Sequence, residues 1–279
     1  MSIRNELLNE ICIEQNIKLE YLADDYILCL SKGDQLRYIL GPYWDINSAA
    51  ADRLACDKAG CCTMLKIAGI SAIEHEAIYN PLRWPYLIDH KGTMSKAIAF
   101  FEANRNKIVA KPNQGSQGKD VYFCGSVLSL EQAIQTIFIT EPDVALSPYY
   151  EIQTEYRVFY LNGRTHYMYG KTKGNNGKHN LSQGAKAFEV MNSDLKLKLS
   201  ELAIHAAKAI NINFATIDIA CLEKNELAVL EINSGVQAQL LLKQLPHHRQ
   251  TIKSIYAEAI SDMFREANNP SHTVDCEGF

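Results

Sequence analysis

The sequence predicts an α+β fold, and three observations carry that prediction. Short apolar runs meet at tight polar turns, as where Tyr26-Ile27-Leu28-Cys29-Leu30 and Leu36-Arg37-Tyr38-Ile39-Leu40 flank Lys32-Gly33-Asp34. Asn162-Gly163 marks another hairpin, between Val158-Phe159-Tyr160 and Tyr167-Met168-Tyr169, because both residues accept the left-handed backbone of a two-residue turn. Helices are marked by apolar residues at helical spacing: Leu199, Leu202, Ala203, Ala206, Ala207 and Ile210, then Ile252, Ile255, Tyr256, Ala259, Ile260, Met263 and Phe264. At 279 residues the chain can bury a sizeable core and divide into two or three subdomains.

In chain order, residues 1–50 form a short N-terminal cap, with a helical stripe at Leu7, Ile11 and Cys12 ahead of the first hairpin. Asn47-Ser48 are read as capping the helix that contains Lys58. Residues 51–150 hold that helix and a lid subdomain: short strands, a loop marked by Pro81, Trp84 and Pro85, a helix near Ser95–Asn104, a glycine-rich loop and a helix after Ser129. Residues 151–268 form the C-terminal subdomain, and residues 269–279 a frayed tail. Between 171 and 187 Gly, Asn, Lys, Ser and Gln dominate. A polar loop of that length is usually functional or disordered.

Composition narrows the function. A net charge of −4, from 28 basic and 32 acidic residues, gives no general attraction to nucleic acid or to an anionic membrane. No apolar run approaches the length of a membrane span, and Met1-Ser2-Ile3-Arg4 opens an amphipathic helix instead of a signal peptide, so the expected location is the cytoplasm. Of eight cysteines, Cys61-Cys62 are adjacent and the rest scattered, with no CxxC and no zinc-ligand spacing. Most sit among apolar neighbours and read as small buried hydrophobes. His247-His248, in a loop after Pro246, carry no evident chemistry, whereas His179, in the polar loop, is a candidate for touching substrate.

Two segments do carry chemistry. In Ile108-Val109-Ala110-Lys111-Pro112-Asn113-Gln114-Gly115-Ser116-Gln117-Gly118-Lys119-Asp120-Val121 an apolar strand ends in a lysine, and a glycine loop leads into another strand. The lysine offers a cation to phosphate oxygens, and the loop offers backbone N–H groups able to close over them. No Gly-Lys-Ser/Thr follows, so this is not a P-loop. A plain glycine-rich hairpin would give the same pattern. The second segment, Thr216 to Gly235, reads as two strands around Lys224-Asn225. Pairing about that turn sets Asp218 opposite Glu231, while alternation puts Glu231 and Asn233 on one face and Ile217, Ile219, Leu230 and Ile232 on the other. Carboxylates directly opposite one another destabilise a sheet unless compensated. Mg2+, which takes hard oxygen ligands and shares them with phosphates, compensates well.

Together these segments resemble the ATP-grasp superfamily of ATP-dependent ligases, with likeness to its glutathione-synthetase-like, cyanophycin-synthetase-like and ribosomal-protein glutamate ligase branches. The resemblance spans roughly residues 36–240. Asp57-Lys58 with Leu65-Lys66-Ile67-Ala68-Gly69-Ile70 resembles a helix whose lysine contacts nucleotide phosphate, and Lys111-Pro112 with Gly115-Ser116-Gln117-Gly118 the second lysine and the phosphate-covering loop. Tyr149-Tyr150-Glu151-Ile152 resembles the adenine-holding hinge. Glu155-Tyr156-Arg157-Val158 and Asn180-Leu181-Ser182-Gln183-Gly184 resemble stretches near phosphate and substrate. Two departures stand out: Asn233-Ser234-Gly235 lacks the family's usual proline, and the region before Asp57 is short.

The resemblance implies an ATP-grasp fold, two α/β subdomains clamping ATP behind a short cap. It implies ATP held by Lys58, Lys111, Gly115, Ser116, Gln117, Gly118, Tyr150, Glu151, Ile152 and Glu155. Mg2+, or Mn2+ in its place, would sit on Asp218, Glu231 and Asn233, with Arg157, Lys171 and Asn180 as catalytic groups. Pairing about Asn162-Gly163 sets Arg157 and Lys171 on opposite faces, so either a bulge intervenes or one assignment is wrong. The implied reaction is ADP-forming ligation of a carboxylate to an amine through an acyl phosphate, on an amino acid or peptide. Phosphate transfer to a small molecule and a non-catalytic nucleotide-binding module stay open. A peptide or protein acceptor and a homo-oligomer stay open as well.

Overall fold

The computed structural model describes residues 2–87, 92–115, 118–174, 177 and 179–265. Helix α1 (Ile3–Glu14) starts at Ser2, whose hydroxyl accepts the Asn5 amide at 3.2 Å. It buries Leu7, Leu8, Ile11 and Cys12. Strands β1 (Lys18–Leu22), β2 (Ile27–Lys32), β3 (Gln35–Leu40) and β4 (Tyr43–Trp44) form an antiparallel sheet in that order. Gly33, at φ +58°, makes the turn between β2 and β3. Leu28, Leu30, Ile39 and Trp44 face inward. They join a core that also holds Phe159 and Phe214 and residues of the C-terminal helix such as Ile252 and Tyr256. Trp44 meets the rings of Phe214 and Tyr256, each at 5.1 Å. The N-terminal segment and the C-terminal helix therefore close one core.

The single helix expected through Lys58 is two. Ser48 caps α2 (Ala49–Cys56), and Asp57 caps α3 (Lys58–Ile67), its Oδ1 accepting the Gly60 amide at 2.7 Å. An aspartate gains more from accepting first-turn amides than from an interior helical position, so the chain breaks there. Lys58 thereby becomes the first residue of α3.

The second sheet, in the order β5-β8-β6-β7, is built from β5 (Glu76–Tyr79), β6 (Ile108–Pro112), β7 (Tyr122–Cys124) and β8 (Asp143–Pro148). Helices α4 (Thr93–Ala103) and α5 (Val127–Thr140) cover it through Phe101, Leu130, Ile134 and Ile137. Helix α5 begins ahead of Ser129 because Ser126 and Ser129 form a reciprocal capping box.

The third sheet, ordered β11-β10-β9-β12-β13, contains β9 (Thr154–Leu161), β10 (Arg164–Lys171), β11 (Ala187–Glu189), β12 (Phe214–Cys221) and β13 (Leu227–Asn233). Helix α6 (Ser193–Ala209) packs on one face; α1, α7 (Gln239–Gln244) and α8 (Arg249–Met263) pack on the other. Covered on both sides, β12 is buried along its whole length. Two irregularities set its chemistry. Between β9 and β10 the register shifts at His166, so Tyr169 faces Arg157 and Lys171 faces Glu155. That bulge brings Arg157 and Lys171 to the same face.

The turn between β12 and β13 is not the two-residue Lys224-Asn225 turn. A 3-10 turn over Glu223–Asn225 makes Cys221 pair with Leu227. A second irregularity, between Asp218 and Ile219, then restores the expected Asp218–Glu231 pair. Leu230 is the leftover residue. Whereas Ile217, Ile219 and Ile232 enter the main core beneath α6, Leu230 packs beside Ile73 and Ala220 at the sheet's margin. Among the described residues, no helix is long and apolar enough to cross a membrane.

Candidate functional site

A cleft of about 580 Å³ lies between the second and third sheets. Its lid wall is built around Asn113, which begins the loop after β6 and is 1% exposed. The Asn113 Oδ1 accepts the Ala59 amide at 3.0 Å, while its Nδ2 donates to Asp57 Oδ1 and Asp143 Oδ2, each at 2.9 Å. One amide thus ties the loop to the start of α3 and to β8. Burial raises the Asp143 pKa, and the Asn113 hydrogen bond opposes that. Lys58 donates to the carbonyls of Asn113 (3.2 Å) and Gly115 (2.6 Å).

Lys111 stands at the end of β6 and makes no hydrogen bond or ion pair with any described residue. Burial lowers its pKa to about 8, against the charge of Glu231. Gly118 has φ +69°, and a Cβ there would stand 2.3 Å from Asn180 Nδ2. Glycine is therefore what lets the lid loop meet the polar loop at this point. Ser116 and Gln117 lie outside the described residues, as does the tail from 266 onward.

The opposite wall carries paired charges. Arg157 grips Asp218 with two hydrogen bonds, Nε to Oδ1 at 2.7 Å and Nη2 to Oδ2 at 2.5 Å. Lys171, 2% exposed, pairs with Glu155 and reaches Asp218 Oδ1 at 3.2 Å. Burial works against the Asp218 charge, but Arg157 and Lys171 outweigh it and hold that carboxyl below the usual carboxylate range. Burial likewise opposes the Lys171 charge, and Asp218 keeps it raised. Glu155 is pushed the other way, up, by burial and by the neighbouring Asp218. At the strand end, Asn233 Nδ2 donates to Glu231 Oε1 at 3.2 Å and to Asp218 Oδ2 at 3.4 Å.

The sequence candidates Lys58, Lys111, Gly115, Gly118, Tyr150, Glu151, Ile152, Glu155, Arg157, Lys171, Asn180, Glu231 and Asn233 all line this one cleft. Asp218 does not; it is 1% exposed, behind Arg157 and Lys171. Glu151 sits on the rim and meets Lys173 loosely at 3.8 Å. His179 is buried, with Nδ1 at 2.9 Å from the Lys171 carbonyl and Nε2 at 3.4 Å from that of Ile152. A neutral imidazole has one N–H to donate, so it ties the polar loop either to the end of β10 or to the hinge, according to which nitrogen carries the proton. Sequence reasoning missed Asn113 and Asp143, which position the lid loop, and the apolar end formed by Pro42, Tyr43 and Leu240. The one local signal was an asparagine opening a glycine loop.

These residues fit a nucleotide with a divalent cation. Lys111 is a half-buried cation with no hydrogen-bond or ion-pair partner among the described residues, a role that phosphate oxygens would fill. Glu231 and Asn233 bring hard oxygen donors to the same cleft; Asp218 lies behind them, its Oδ1 accepting from Arg157 and Lys171 and its Oδ2 from Arg157 and Asn233, so it reaches a cation only where Lys171 or Asn233 gives way.

Comparison with known proteins places these features. The family described as a RimK-like ATP-grasp domain matches residues 55–251. A D-alanine–D-alanine ligase from Bacillus anthracis is similar in structure at TM-score 0.60 and 15% identity, over 78% of this chain and 71% of that one. A D-Ala:D-Ser ligase from Enterococcus faecalis gives 0.59 at 14% identity, over 76% and 64%. A bifunctional glutathione synthetase from Pasteurella multocida gives 0.56 at 16% identity, over 92% and 44%. A search of curated proteins by sequence found no match.

Proposed function

The chain belongs to the RimK-like ATP-grasp family, and on that premise we propose that it is an ADP-forming carboxylate–amine ligase dependent on ATP and Mg2+. The observation that carries this reading is Lys111, without a partner among the described residues, facing Glu231 and Asn233 across a single cleft. Lys111 and Lys58 would hold phosphate oxygens, and the glycine loop, fixed at its root by Asn113, would cover them. Tyr150, Glu151 and Ile152 form the hinge that would seat the base, and Glu155 the wall beside it. Glu231 and Asn233, with Asp218 behind them, would take Mg2+, or Mn2+ in its place, which supplies charge neutralisation between phosphate oxygens.

Bound ATP supplies the phosphoryl group that turns a substrate carboxylate into an acyl phosphate, from which an amine displaces phosphate to form the amide. Arg157, Lys171 and Asn180 line the wall where negative charge would develop, and their fixed positions favour its stabilisation. The lid and polar loops meet at Gly118 and Asn180, and their closure would exclude water from the acyl phosphate. No thiol nucleophile is required; burial pushes Cys61, for one, up to about 12. The substrate is read as an amino acid or peptide. An acceptor carried on a longer peptide is compatible with a rim of exposed Tyr43, Tyr150 and Leu240.

The test is phosphate release from Mg-ATP across pools of amino acids and dipeptides, read by mass spectrometry, with Glu231→Ala as control. A condensed product lighter by one water, absent in the control, supports the ligase. A stable phosphorylated product would replace it with a phosphotransferase. Tight Mg-ATP binding without turnover, even with longer peptides present, would replace it with a nucleotide-binding module.

A further inference from the structure

Outside the lining of the cleft, the edge strand β11 and the turn after α7 bring together three side chains that the proposed chemistry does not use. Glu189 ends β11, while His247 and His248 follow Pro246 in a 3-10 turn. In a strand, adjacent side chains point to opposite faces; the tight turn instead swings both imidazoles to one side, ring centroids 4.2 Å apart. The Nε2 atoms of His247 and His248 converge on one carboxylate oxygen, Glu189 Oε1, at 2.8 and 3.0 Å. The three ligand atoms lie within 4.8 Å of one another.

The scaffold that brings them together is fixed by other bonds. Gln244 Oε1 accepts the Ala187 amide at 2.8 Å, and its Nε2 donates to the Ala185 carbonyl at 3.1 Å. These bonds rivet β11 to the end of α7 just ahead of the histidine pair. On the inner side, the Tyr167 ring lies 4.7 Å from that of His248, and its buried hydroxyl has no hydrogen-bond partner among the described residues.

We propose that Glu189, His247 and His248 bind a divalent transition metal, Zn2+ foremost, which staples β11 to the turn after α7. Two imidazoles and a carboxylate suit a borderline metal better than Mg2+ or Ca2+. Around Zn2+ with bonds of about 2.0–2.1 Å, neighbouring ligand atoms of a tetrahedron stand about 3.3 Å apart. The observed 2.8 and 3.0 Å separations therefore need only a few tenths of an ångström of opening. The Glu189 and His247 side chains are about half exposed, at 45% and 58%, so water completes the coordination. Strand β11 directly follows the polar loop that supplies Lys173, His179 and Asn180 to the cleft. The metal would brace that loop from its far end.

The experiment uses the untagged full chain stripped with a chelator. Zn2+ is titrated against a competing chromophoric chelator, Co2+ is added for its visible absorption, and thermal unfolding is followed with and without Zn2+. One equivalent of micromolar or tighter Zn2+, a Co2+ spectrum of four- or five-coordinate type, and a raised melting temperature are expected. Each response should weaken at least tenfold in His247→Ala, His248→Ala and Glu189→Gln. Octahedral Co2+ absorption, binding only at millimolar Zn2+, or undiminished binding in the triple variant would overturn the proposal, leaving a pair of Glu–His hydrogen bonds.

Discussion

On the lid wall of the cleft Lys111 stands without an ion pair among the described residues, whereas across from it Arg157 and Lys171 are already committed to Asp218 and Glu155. Both walls place cations in low-dielectric surroundings, but only one compensates them from within the protein. The difference shows in the proton equilibria. Burial lowers Lys111 to about 8, while Arg157 and Lys171 overcome the same burial through Asp218 and stay raised. An uncompensated buried cation costs stability and is open to a ligand anion. A compensated set is rigid and positioned, its donors held in place by their carboxylate neighbours.

The largest effect expected from this contrast is at Lys111. Lys111→Met should lower kcat/KM for ATP by about 10³-fold, since a donor aimed at developing charge is lost. It should also stabilise the protein at pH 7 by about 2 kcal/mol, below the full linkage value of the shift. Initial rates over an ATP series and urea unfolding check the two arms. A destabilised variant would mean that Lys111 has a protein partner, and the contrast between the walls would collapse.

On the paired wall the same operation should run the other way. Asp218→Asn leaves two buried cations with one carboxylate fewer and should destabilise by about 3 kcal/mol in urea. The Asp218 pKa is depressed on folding, so its contribution is present above the ordinary value of 3.8 and is lost as pH falls below it. The variant should therefore also flatten the acid side of the stability profile. Glu231, free of any ion pair among the described residues, should behave unlike Asp218. Glu231→Gln should leave the urea midpoint nearly unchanged and reduce Mg-dependent turnover about 100-fold.

The contrast was only partly legible in the sequence. Turn chemistry and periodicity gave the Asn162-Gly163 hairpin, the strands around Gly33 and the stripes of α6 and α8, because each depends on neighbours in the chain. The Asp218–Glu231 pair was legible for an incomplete reason: a longer turn and a bulge offset one another, leaving Leu230 over. The convergence of Arg157, Lys171 and Asp218 needed the His166 bulge, which turns Lys171 to that face, and β12 beside β9, which sets Asp218 opposite Arg157; neither leaves a periodic trace. Asn113 illustrates the limit most clearly. Its partners are Asp57 and Asp143, 56 and 30 residues away, and a single buried amide has no local signature. His247 and His248 read as bland for the same reason, since Glu189 lies 58 and 59 residues away.

The pH dependence sharpens the comparison further, because one group drives two opposite trends. With its folded pKa near 8, below the ordinary 10.5, Lys111 is charged at neutral pH and carries its full burial cost there. As pH rises from about 8 to 10.5 the folded form releases its proton first, so this contribution makes stability rise. Over the same window kcat/KM for ATP should fall, approaching tenfold per pH unit above about 8, as the phosphate-binding cation disappears. Lys111→Met should abolish both trends. Their persistence would assign them to another group.

The smallest effect concerns the place where the walls touch. Gly118 and Gly177 both have positive φ, at +69° and +74°, so an alanine at either site meets comparable backbone strain of about 1 kcal/mol. Only at Gly118 would the added Cβ collide with Asn180; at Gly177 nothing among the described residues lies within 4 Å. Gly118→Ala should therefore raise KM for ATP about fivefold more than Gly177→Ala, since about 1 kcal/mol of extra displacement falls on a cleft residue. Equal effects in the two variants would show that strain alone is felt, and that the meeting of lid and polar loop contributes nothing to nucleotide binding.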